Sequence, residues 1–207
     1  MIKMKILLVI FISYFLGAIP NGYIFVQRLR DLDIRKYGSG NVGATNVARL
    51  LGFKFGILVA ALDILKGFLA VSFAAWLFPG EAVPLVLAGL LAVIGHSFSV
   101  FLNFSGGKGV ATTVGVILRI YPLAVLVIVV VWLVVTVISR YVSLGSMLGA
   151  ISLPVIFLIR GKGLTYVVFG LLIALFILYN HRGNIQRLMA GEENKLGESV
   201  SPGKGES

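Results

Sequence analysis

Five or six stretches of this chain are long and apolar enough to cross a lipid bilayer as helices. Spanning the roughly 30 Å hydrocarbon core takes about 20 apolar residues. The qualifying stretches are 6–26, 55–78, 83–102, 121–138, 143–159 and 164–180. Hydrophobic residues make up 58% of the chain and charged residues only 13%, about half the charged share of an average soluble domain. The sequence therefore predicts an all-α integral membrane protein.

The short apolar segment 110–120 decides the predicted number of spans. Pro122 follows it closely and disfavours helical backbone at the preceding residue. We therefore expect a short helix over 110–120 that turns tightly into a second helix over 121–138. About seven transmembrane helices result, some of them short or broken. The alternative is one long helix through both segments, which leaves six spans.

Lys and Arg residues are concentrated on one side of the seven-span arrangement. That side carries the C-terminal tail and the segments 27–54, 103–109 and 139–142. Because positively charged loops favour the cytoplasm, we expect the N-terminus outside and the C-terminus in the cytoplasm. Lys3 and Lys5 argue weakly for the reverse.

The composition excludes several classes of function. The chain has no cysteine and only two histidines, which leaves no disulfide, thiolate nucleophile or metal cluster, so we expect neither a metal nor a cofactor. A net charge of +10 would suggest nucleic acid for a soluble protein, but here it indicates anionic headgroups and substrates. Residues 1–188 are predicted to form a single polytopic domain. Residues 189–207 are polar and rich in Gly and Ser, which predicts a disordered cytoplasmic tail.

Four polar segments interrupt the apolar runs, and all lie on the same side of the seven-span arrangement. They are 38–52, 95–113, 139–146 and 180–188. In the second of them, Gly106, Gly107 and Gly109 let backbone N–H groups approach an anion, and Lys108 adds positive charge. This pattern predicts a phosphate cradle. It does not indicate a nucleotide-hydrolysis loop, because glycine follows Lys108 where Ser or Thr belongs.

Two further features point to an anion site. A helix beginning near Thr45 would place Thr45, Asn46 and Arg49 on one face, and its positive N-terminal end suits an oxyanion. The alternative for this segment is a flexible polar loop. His96 lies within the third span, and an ionisable side chain inside a membrane span indicates a functional role. The alternative is a buried imidazole that is hydrogen-bonded to a carbonyl.

Asp63 and Lys66 lie three residues apart within the second span. This spacing lets them pair on one helix face, which offsets the cost of an isolated charge in the membrane. A structural ion pair and a Lys66 directed toward the phosphate site are both compatible with the sequence.

Five segments, in a fixed order, carry a resemblance to a known family. They are SYFLGAIPNGYIF at 13–25, GSGNVGATN at 38–46, GHSFSVFLNFSGGKGVAT at 95–112, RYVSLGSM at 140–147 and HRGNIQRL at 181–188. Together they resemble the bacterial acyl-phosphate:glycerol-3-phosphate acyltransferases over residues 13–188. The chain departs from the usual pattern at Ser99, where proline is common, and at Ser105, where lysine is common.

The resemblance implies transfer of a fatty acyl group from a long-chain acyl phosphate to the 1-hydroxyl of sn-glycerol 3-phosphate. The products would be 1-acylglycerol 3-phosphate (lysophosphatidic acid) and phosphate, in the first acylation step of phospholipid synthesis. It implies a multi-pass protein of the bacterial plasma membrane whose active site faces the cytoplasm. The partners implied are the two substrates, the bilayer and the enzyme that supplies acyl phosphate. An organic-phosphate transporter and a phospholipid-interaction protein without turnover are the alternatives.

We assign the candidate residues to three roles. The residues expected near the reacting carbonyl are His96 and Asn180. Those expected to hold the acyl phosphate head are Ser39, Gly40, Asn41, Gly43, Thr45, Gly106, Gly107, Lys108, Gly109 and Thr112. Those expected to hold glycerol 3-phosphate are Asn46, Arg49, Lys66, Ser143, His181 and Arg182. Either a histidine or the phosphate of the acyl donor could accept the proton of the attacking hydroxyl.

Overall fold

The computed structural model describes residues 2–197, which form ten α-helices joined by short loops. The helices are α1 (Ile2–Ala18), α2 (Asn21–Arg30), α3 (Ala44–Leu51), α4 (Phe53–Leu77), α5 (Ala82–Ser97), α6 (Val110–Ile120), α7 (Pro122–Ser139), α8 (Val142–Ile159), α9 (Leu164–Asn180) and α10 (Arg182–Ala190). Single 3₁₀ turns at Ile34–Lys36 and Val100–Leu102 lie in the loops. The predicted all-helical fold is confirmed.

Within residues 2–197, five helical segments are long and apolar enough to cross a membrane. They are Ile2–Arg30, Phe53–Leu77, Ala82–Leu102, Pro122–Ser139 and Val142–Ile159. The pair α9 and α10, bent by 56°, makes a sixth if it is counted as one broken span. Helix α6 is apolar but has only 11 residues, about 16 Å of helix at 1.5 Å per residue. The protein is thus an integral membrane protein with five or six candidate spans.

The predicted break before Pro122 is present. Helix α6 ends at Ile120 and α7 begins at Pro122, with Tyr121 between them in an extended conformation (φ −154°). Proline suits the first position of a helix because the N–H it lacks has no intrahelical partner there. One continuous helix through both segments, the alternative prediction, is wrong.

A second proline breaks the first span, which the sequence predicted as one run over 6–26. Helix α1 ends at Ala18 and α2 begins at Asn21, with Pro20 between them. The break leaves carbonyl groups without helical partners. The Ser99 hydroxyl donates to the Ala18 carbonyl at 2.6 Å, and the Lys66 ammonium donates to the Ile19 carbonyl at 2.9 Å. Ser99 therefore supplies a hydrogen bond that a proline at this position could not make.

Small residues let the central helices approach closely. A Cβ on Gly17 of α1 would overlap the backbone of Ala92 in α5, and one on Gly115 of α6 would overlap the backbone of Ile64 in α4. Such glycines are the usual means of close helix packing in membranes, where the hydrophobic effect does not drive association. The pairs α1–α5 and α4–α6 consequently hold the polar segments of the chain at one end of the bundle.

Candidate functional site

A cavity of about 370 Å³ combines a polar end with an apolar end. The polar end carries side chains from α3 and the loop before it, α4, α5, the 105–109 loop, α8, α10 and the residues flanking α10. They are Ser39, Asn41, Thr45, Asn46, Arg49, Asp63, His96, Lys108, Ser143, Ser146, His181, Asn184, Glu193 and Asn194. The apolar end lies between α6, α7 and α8 and includes Ile128, Trp132 and Leu153. We call this space the amphiphilic cavity. It has room for an anionic head and part of a lipid tail.

A second, more open cavity of about 310 Å³ adjoins it. This polar cavity is lined by Ser39, Gly40, Asn41, Lys108, Asn180, Arg182, Gly183, Asn184, Gln186 and Arg187. Four of these residues also line the amphiphilic cavity: Ser39, Asn41, Lys108 and Asn184. The two cavities therefore share a wall made of these four residues. Of the four, Lys108 alone carries a charge.

The segment 38–52 forms the turn and helix that its sequence predicted. Helix α3 begins at Ala44 and places Thr45, Asn46 and Arg49 along the amphiphilic cavity. The Asn46 amide, however, is fully engaged by the loop before it. Its nitrogen donates to the carbonyls of Tyr37 and Asn41, both at 2.9 Å, and its oxygen accepts from the Ser39 N–H at 3.1 Å. These contacts give Asn46 a structural role in the loop that presents Ser39 and Asn41, and the substrate contact expected for it stays a prediction.

The glycine loop, residues 105–109, holds its N–H groups differently from the prediction. The N–H groups of Gly106 and Gly107 donate to the carbonyls of Ser97 and His96, each at 3.0 Å. Helix α5 ends at Ser97, so these bonds satisfy carbonyls that have no helical partner. The expectation that Gly106 and Gly107 present N–H groups to a phosphate is therefore corrected. Gly109, with φ +86°, starts α6 and directs its first turn toward the amphiphilic cavity.

Lys108 lies where both cavities meet. Its ammonium donates a short hydrogen bond to the side-chain oxygen of Asn184. Burial away from water lowers the pKa of Lys108 to about 8, and the Glu193 carboxylate only partly offsets this effect. Lys108 is half-buried, and within residues 2–197 no acidic side chain forms an ion pair with it. A partly desolvated cation of this kind is suited to an anionic ligand.

Glu193 is a site residue that the sequence did not indicate. Its side chain accepts hydrogen bonds from Ser143 (2.8 Å), Asn184 (2.6 Å) and Arg187 (2.8 Å). Burial opposes the ionised form, but the three hydrogen bonds together hold its pKa below the ordinary range. Helix α10 also continues to Ala190. The first part of the expected disordered tail thus contributes to the site, while 198–207 lies outside the described residues.

Removing this carboxylate should destabilise the fold. We expect Glu193→Ala to lower the free energy of unfolding by about 2–5 kcal/mol, because the buried Ser143 and Asn184 donors lose their acceptor. Thermal unfolding in detergent measures the change, and Glu192→Ala, at an exposed neighbouring carboxylate, is the control. Because the folded pKa lies below 4.5, the stabilisation should be complete at neutral pH and disappear as pH falls through that lower value. Equal unfolding temperatures for the two variants would contradict this role.

Both histidines are buried beside the amphiphilic cavity. The Nδ1 atom of His181 lies 2.8 Å from the Ile177 carbonyl. Since a carbonyl only accepts, Nδ1 carries the proton, and Nε2 is the acceptor of the neutral ring. His96 lies in the last turn of α5, within the candidate span Ala82–Leu102, with Nδ1 3.8 Å from the Asp63 carboxylate. Neighbouring Ser97 accepts a 3.2 Å hydrogen bond from Asn180.

Most predicted site residues line one of the two cavities, and the exceptions have clear reasons. Lys66 is 4% exposed and pairs with Asp63 at 2.9 Å, which favours the structural ion pair over direct substrate binding. Thr112 is fully buried and packs against Gly67 of α4, so its expected contact with phosphate is corrected. Arg182 lines the polar cavity and stacks on Tyr179, with 4.5 Å from the guanidinium carbon to the ring centroid.

The chain is similar to known proteins along almost its whole length. The family model described as glycerol-3-phosphate acyltransferase matches residues 7–191. A glycerol-3-phosphate acyltransferase of Carboxydothermus hydrogenoformans is 47% identical, covering 93% of this chain and 97% of the relative. One from Thermoanaerobacter sp. strain X514 is 43% identical, covering 91% and 94%.

Solved structures show the same similarity. A crystal structure of PlsY, an integral membrane glycerol 3-phosphate acyltransferase, in its glycerol 3-phosphate form has a TM-score of 0.88 and 40% identity, covering 93% of this chain and 96% of that one. Its lysophosphatidic acid form gives 0.85, also at 40% identity, with 93% and 95% covered. By sequence and by structure, this chain belongs to the glycerol-3-phosphate acyltransferase family.

Proposed function

We propose that this protein transfers a fatty acyl group from acyl phosphate to the 1-hydroxyl of sn-glycerol 3-phosphate. The hydroxyl oxygen bonds to the acyl carbon, the bond from that carbon to the phosphate oxygen breaks, and phosphate leaves with the electron pair. The products are 1-acylglycerol 3-phosphate and inorganic phosphate. Family membership supports the acceptor. The observation that carries the proposal is one cavity running from Lys108 to the apolar wall at Trp132 and Leu153.

The two cavities suit the two substrates. Acyl phosphate has an anionic head and a long apolar tail, which match the two ends of the amphiphilic cavity. Glycerol 3-phosphate is a small soluble dianion, which suits the open polar cavity with Arg182 and Arg187. Both phosphates then approach the shared wall, where Lys108 offsets their charge. Arg49 adds a second cation from the amphiphilic side, and the neutral His181 ring adds a polar group there.

The reacting carbonyl should lie near the end of α5. His96 lines the amphiphilic cavity and Asn180 the polar one, so the two side chains face the meeting point from opposite compartments. Preorganised donors there would stabilise the oxyanion that forms as the carbonyl becomes tetrahedral. The acyl phosphate is already activated, and its phosphate oxygens lie beside the incoming hydroxyl. We assign the proton to that phosphate.

Single histidine variants test this assignment of the proton. We expect His96→Ala and His181→Ala each to lower kcat by less than about a hundredfold, since a positioned protein base contributes about 10²–10⁴-fold. The measurement is kcat at saturating concentrations of both substrates, with binding of each followed separately. If either variant bound both substrates and lost all measurable turnover, a histidine base would replace the substrate phosphate.

We place the site at the cytoplasmic face of a bacterial plasma membrane, with seven spans and the N-terminus outside. The Lys- and Arg-rich segments 27–54 and 103–109 support this sidedness through the positive-inside rule. The separate helices α6 and α7 support a seventh span. This seventh span is a short one, because α6 has only 11 residues. The glycine loop before it would therefore be drawn toward the membrane interior.

Substrate binding should weaken in alkaline solution. The pKa of Lys108 is about 8, so its ammonium loses the proton above that pH, whereas a phosphate monoester with a second pKa near 6 is already a dianion. We expect the KM for the phosphate substrates to rise by up to about tenfold per pH unit above pH 8. Lys108→Arg should remove this rise because its cation persists. A KM that stays flat to pH 10 in the unmodified protein would contradict the assignment.

One assay separates this function from its alternatives. Purified protein in detergent receives labelled glycerol 3-phosphate with either an acyl phosphate or an acyl thioester. Lysophosphatidate formed from acyl phosphate alone supports the proposal, and formation from the thioester alone identifies a different donor. If neither donor gave product and liposomes took up glycerol 3-phosphate, the protein would be a transporter. Binding without turnover or uptake would indicate a phospholipid-interaction protein.

A further inference from the structure

Asp63 is the centre of a buried polar cluster within the helical bundle. Its Oδ1 atom lies 2.9 Å from the Lys66 ammonium, 2.9 Å from the Asn21 side-chain nitrogen and 3.8 Å from Nδ1 of His96. Asp63, Lys66 and His96 are 2%, 4% and 7% exposed. Ionisable side chains buried inside a membrane protein cost free energy unless they are paired. Three of them together therefore suggest a functional role.

One side of the cluster secures the break between α1 and α2. Lys66 donates to the Ile19 carbonyl at 2.9 Å, and Asn21, the first residue of α2, donates to Asp63. The break exposes backbone groups that the bilayer cannot satisfy. Asp63 and Lys66 therefore connect α4 to the one place where the first span is interrupted.

The other side of the cluster reaches the glycine loop through His96. The Gly107 N–H donates to the His96 carbonyl at 3.0 Å. A Cβ on Gly107 would overlap Nε2 of His96. The imidazole thus lies between the Asp63 carboxylate at one nitrogen and the glycine loop at the other.

A simple ion pair does not account for this geometry. Lys66 alone is enough to neutralise Asp63, yet the carboxylate also lines the amphiphilic cavity and faces the imidazole. The 3.8 Å between Nδ1 and the carboxylate oxygen is too long for a direct hydrogen bond, so the carboxylate acts on the Nδ1 edge of the ring electrostatically. This interaction favours one orientation of the ring.

We propose that Asp63 is a positioning residue for acyl transfer. It acts through His96, by holding the Nδ1 edge of the ring so that Nε2 and the glycine loop keep fixed places at the cavity. Lys66 pairs with Asp63 and ties the pair to the break after α1. This inference rests on the proposed function, because its kinetic consequence requires turnover.

Three variants separate positioning from simple charge neutralisation. Asp63→Leu and Lys66→Met each leave one buried charge unpaired, and we expect each to lower the Tm by at least about 6 °C. The double variant D63L/K66M removes both charges, and an apolar replacement of a buried pair is often tolerated. We expect it to recover most of the lost Tm while kcat stays about tenfold to a hundredfold low. Asp31→Asn, at an exposed carboxylate, is the control.

Histidine NMR supplies the direct readout of the ring. The chain has two histidines, so ¹⁵N-histidine labelling gives two imidazoles, and His181→Ala assigns them. We expect D63L/K66M to shift the His96 ring signals and to leave the His181 signals unchanged. A double variant that recovers kcat together with Tm, or whose His96 signals do not move, would overturn the proposal. If the unmodified protein makes no product, the proposed function fails, and the NMR result still decides whether Asp63 orients His96.

Discussion

Lys108→Met should lower kcat/KM for glycerol 3-phosphate by about a hundredfold to a thousandfold, the loss expected when one partner of a buried charged contact is removed. Methionine retains the length of the side chain and removes its charge. Lys108 lies in the shared wall of the two cavities and contacts Asn184. Both phosphates of the proposed reaction would therefore lose the same cation. Incorporation of labelled glycerol 3-phosphate into lipid in detergent measures the effect.

Lys54→Met is the matched control for this change. Lys54 is exposed in the first turn of α4, and the same substitution there should alter kcat/KM by less than about twofold, as is usual for exposed positions away from a site. The unfolding temperature of Lys108→Met should stay near that of the parent. The variant loses the hydrogen bond to Asn184, but it also loses the cost of desolvating the ammonium, and the two effects oppose each other. Activity within threefold of the parent would exclude Lys108 from the substrate site.

Gly107→Ala should lower kcat by about a hundredfold, through displacement of the His96 ring. An added Cβ would overlap Nε2 and the neighbouring ring carbons, so the ring has to move from its place at the amphiphilic cavity. The backbone of Gly107 is not in the left-handed region, so the cost is steric only. A misplacement of about 1 Å in a reacting arrangement is enough for a loss of this size.

Two comparisons identify the cause of the Gly107→Ala effect. Gly80→Ala introduces backbone strain at φ +80°, with nothing within 4 Å of the new Cβ, and should leave kcat unchanged. In the double variant H96A/G107A the clash is relieved, so its kcat should equal that of His96→Ala alone, a strongly non-additive result. Additive losses would show that Gly107 acts without His96, by direct contact with substrate.

Local sequence patterns predicted the features that neighbouring residues determine, such as helix boundaries and the side chains that share one face of a helix. Pro122 ended one helix and began the next, because its ring and missing N–H act on adjacent residues. The spacing of Asp63 and Lys66 showed that the two side chains could pair, since about one turn of helix separates them, but it did not exclude a Lys66 directed toward the phosphate site. Thr45 and Arg49 likewise share the face of α3 that lines the amphiphilic cavity.

Other predictions depended on partners far away along the chain. The N–H groups of Gly106 and Gly107 were expected to bind phosphate, but the carbonyls at the end of α5 accept them first. The Asn46 amide was expected to contact substrate, but three backbone groups of its own loop use it. Glu193 follows a segment whose composition predicts disorder, and only its contacts with Ser143, Asn184 and Arg187 reveal its place.

Membrane insertion, helical class and the cationic character of the polar segments follow from composition and hydropathy, because each residue contributes its own transfer free energy to the bilayer. The division into two cavities, the place of Lys108 between them and the cluster around Asp63 arise from the packing of α4, α5 and α10. These features depend on which backbone groups remain unpaired after the helices break at Pro20 and end at Ser97. Only the tertiary structure decides these hydrogen bonds, because a free carbonyl in a membrane pairs with a donor that is close in space, and that donor can be far away in the sequence.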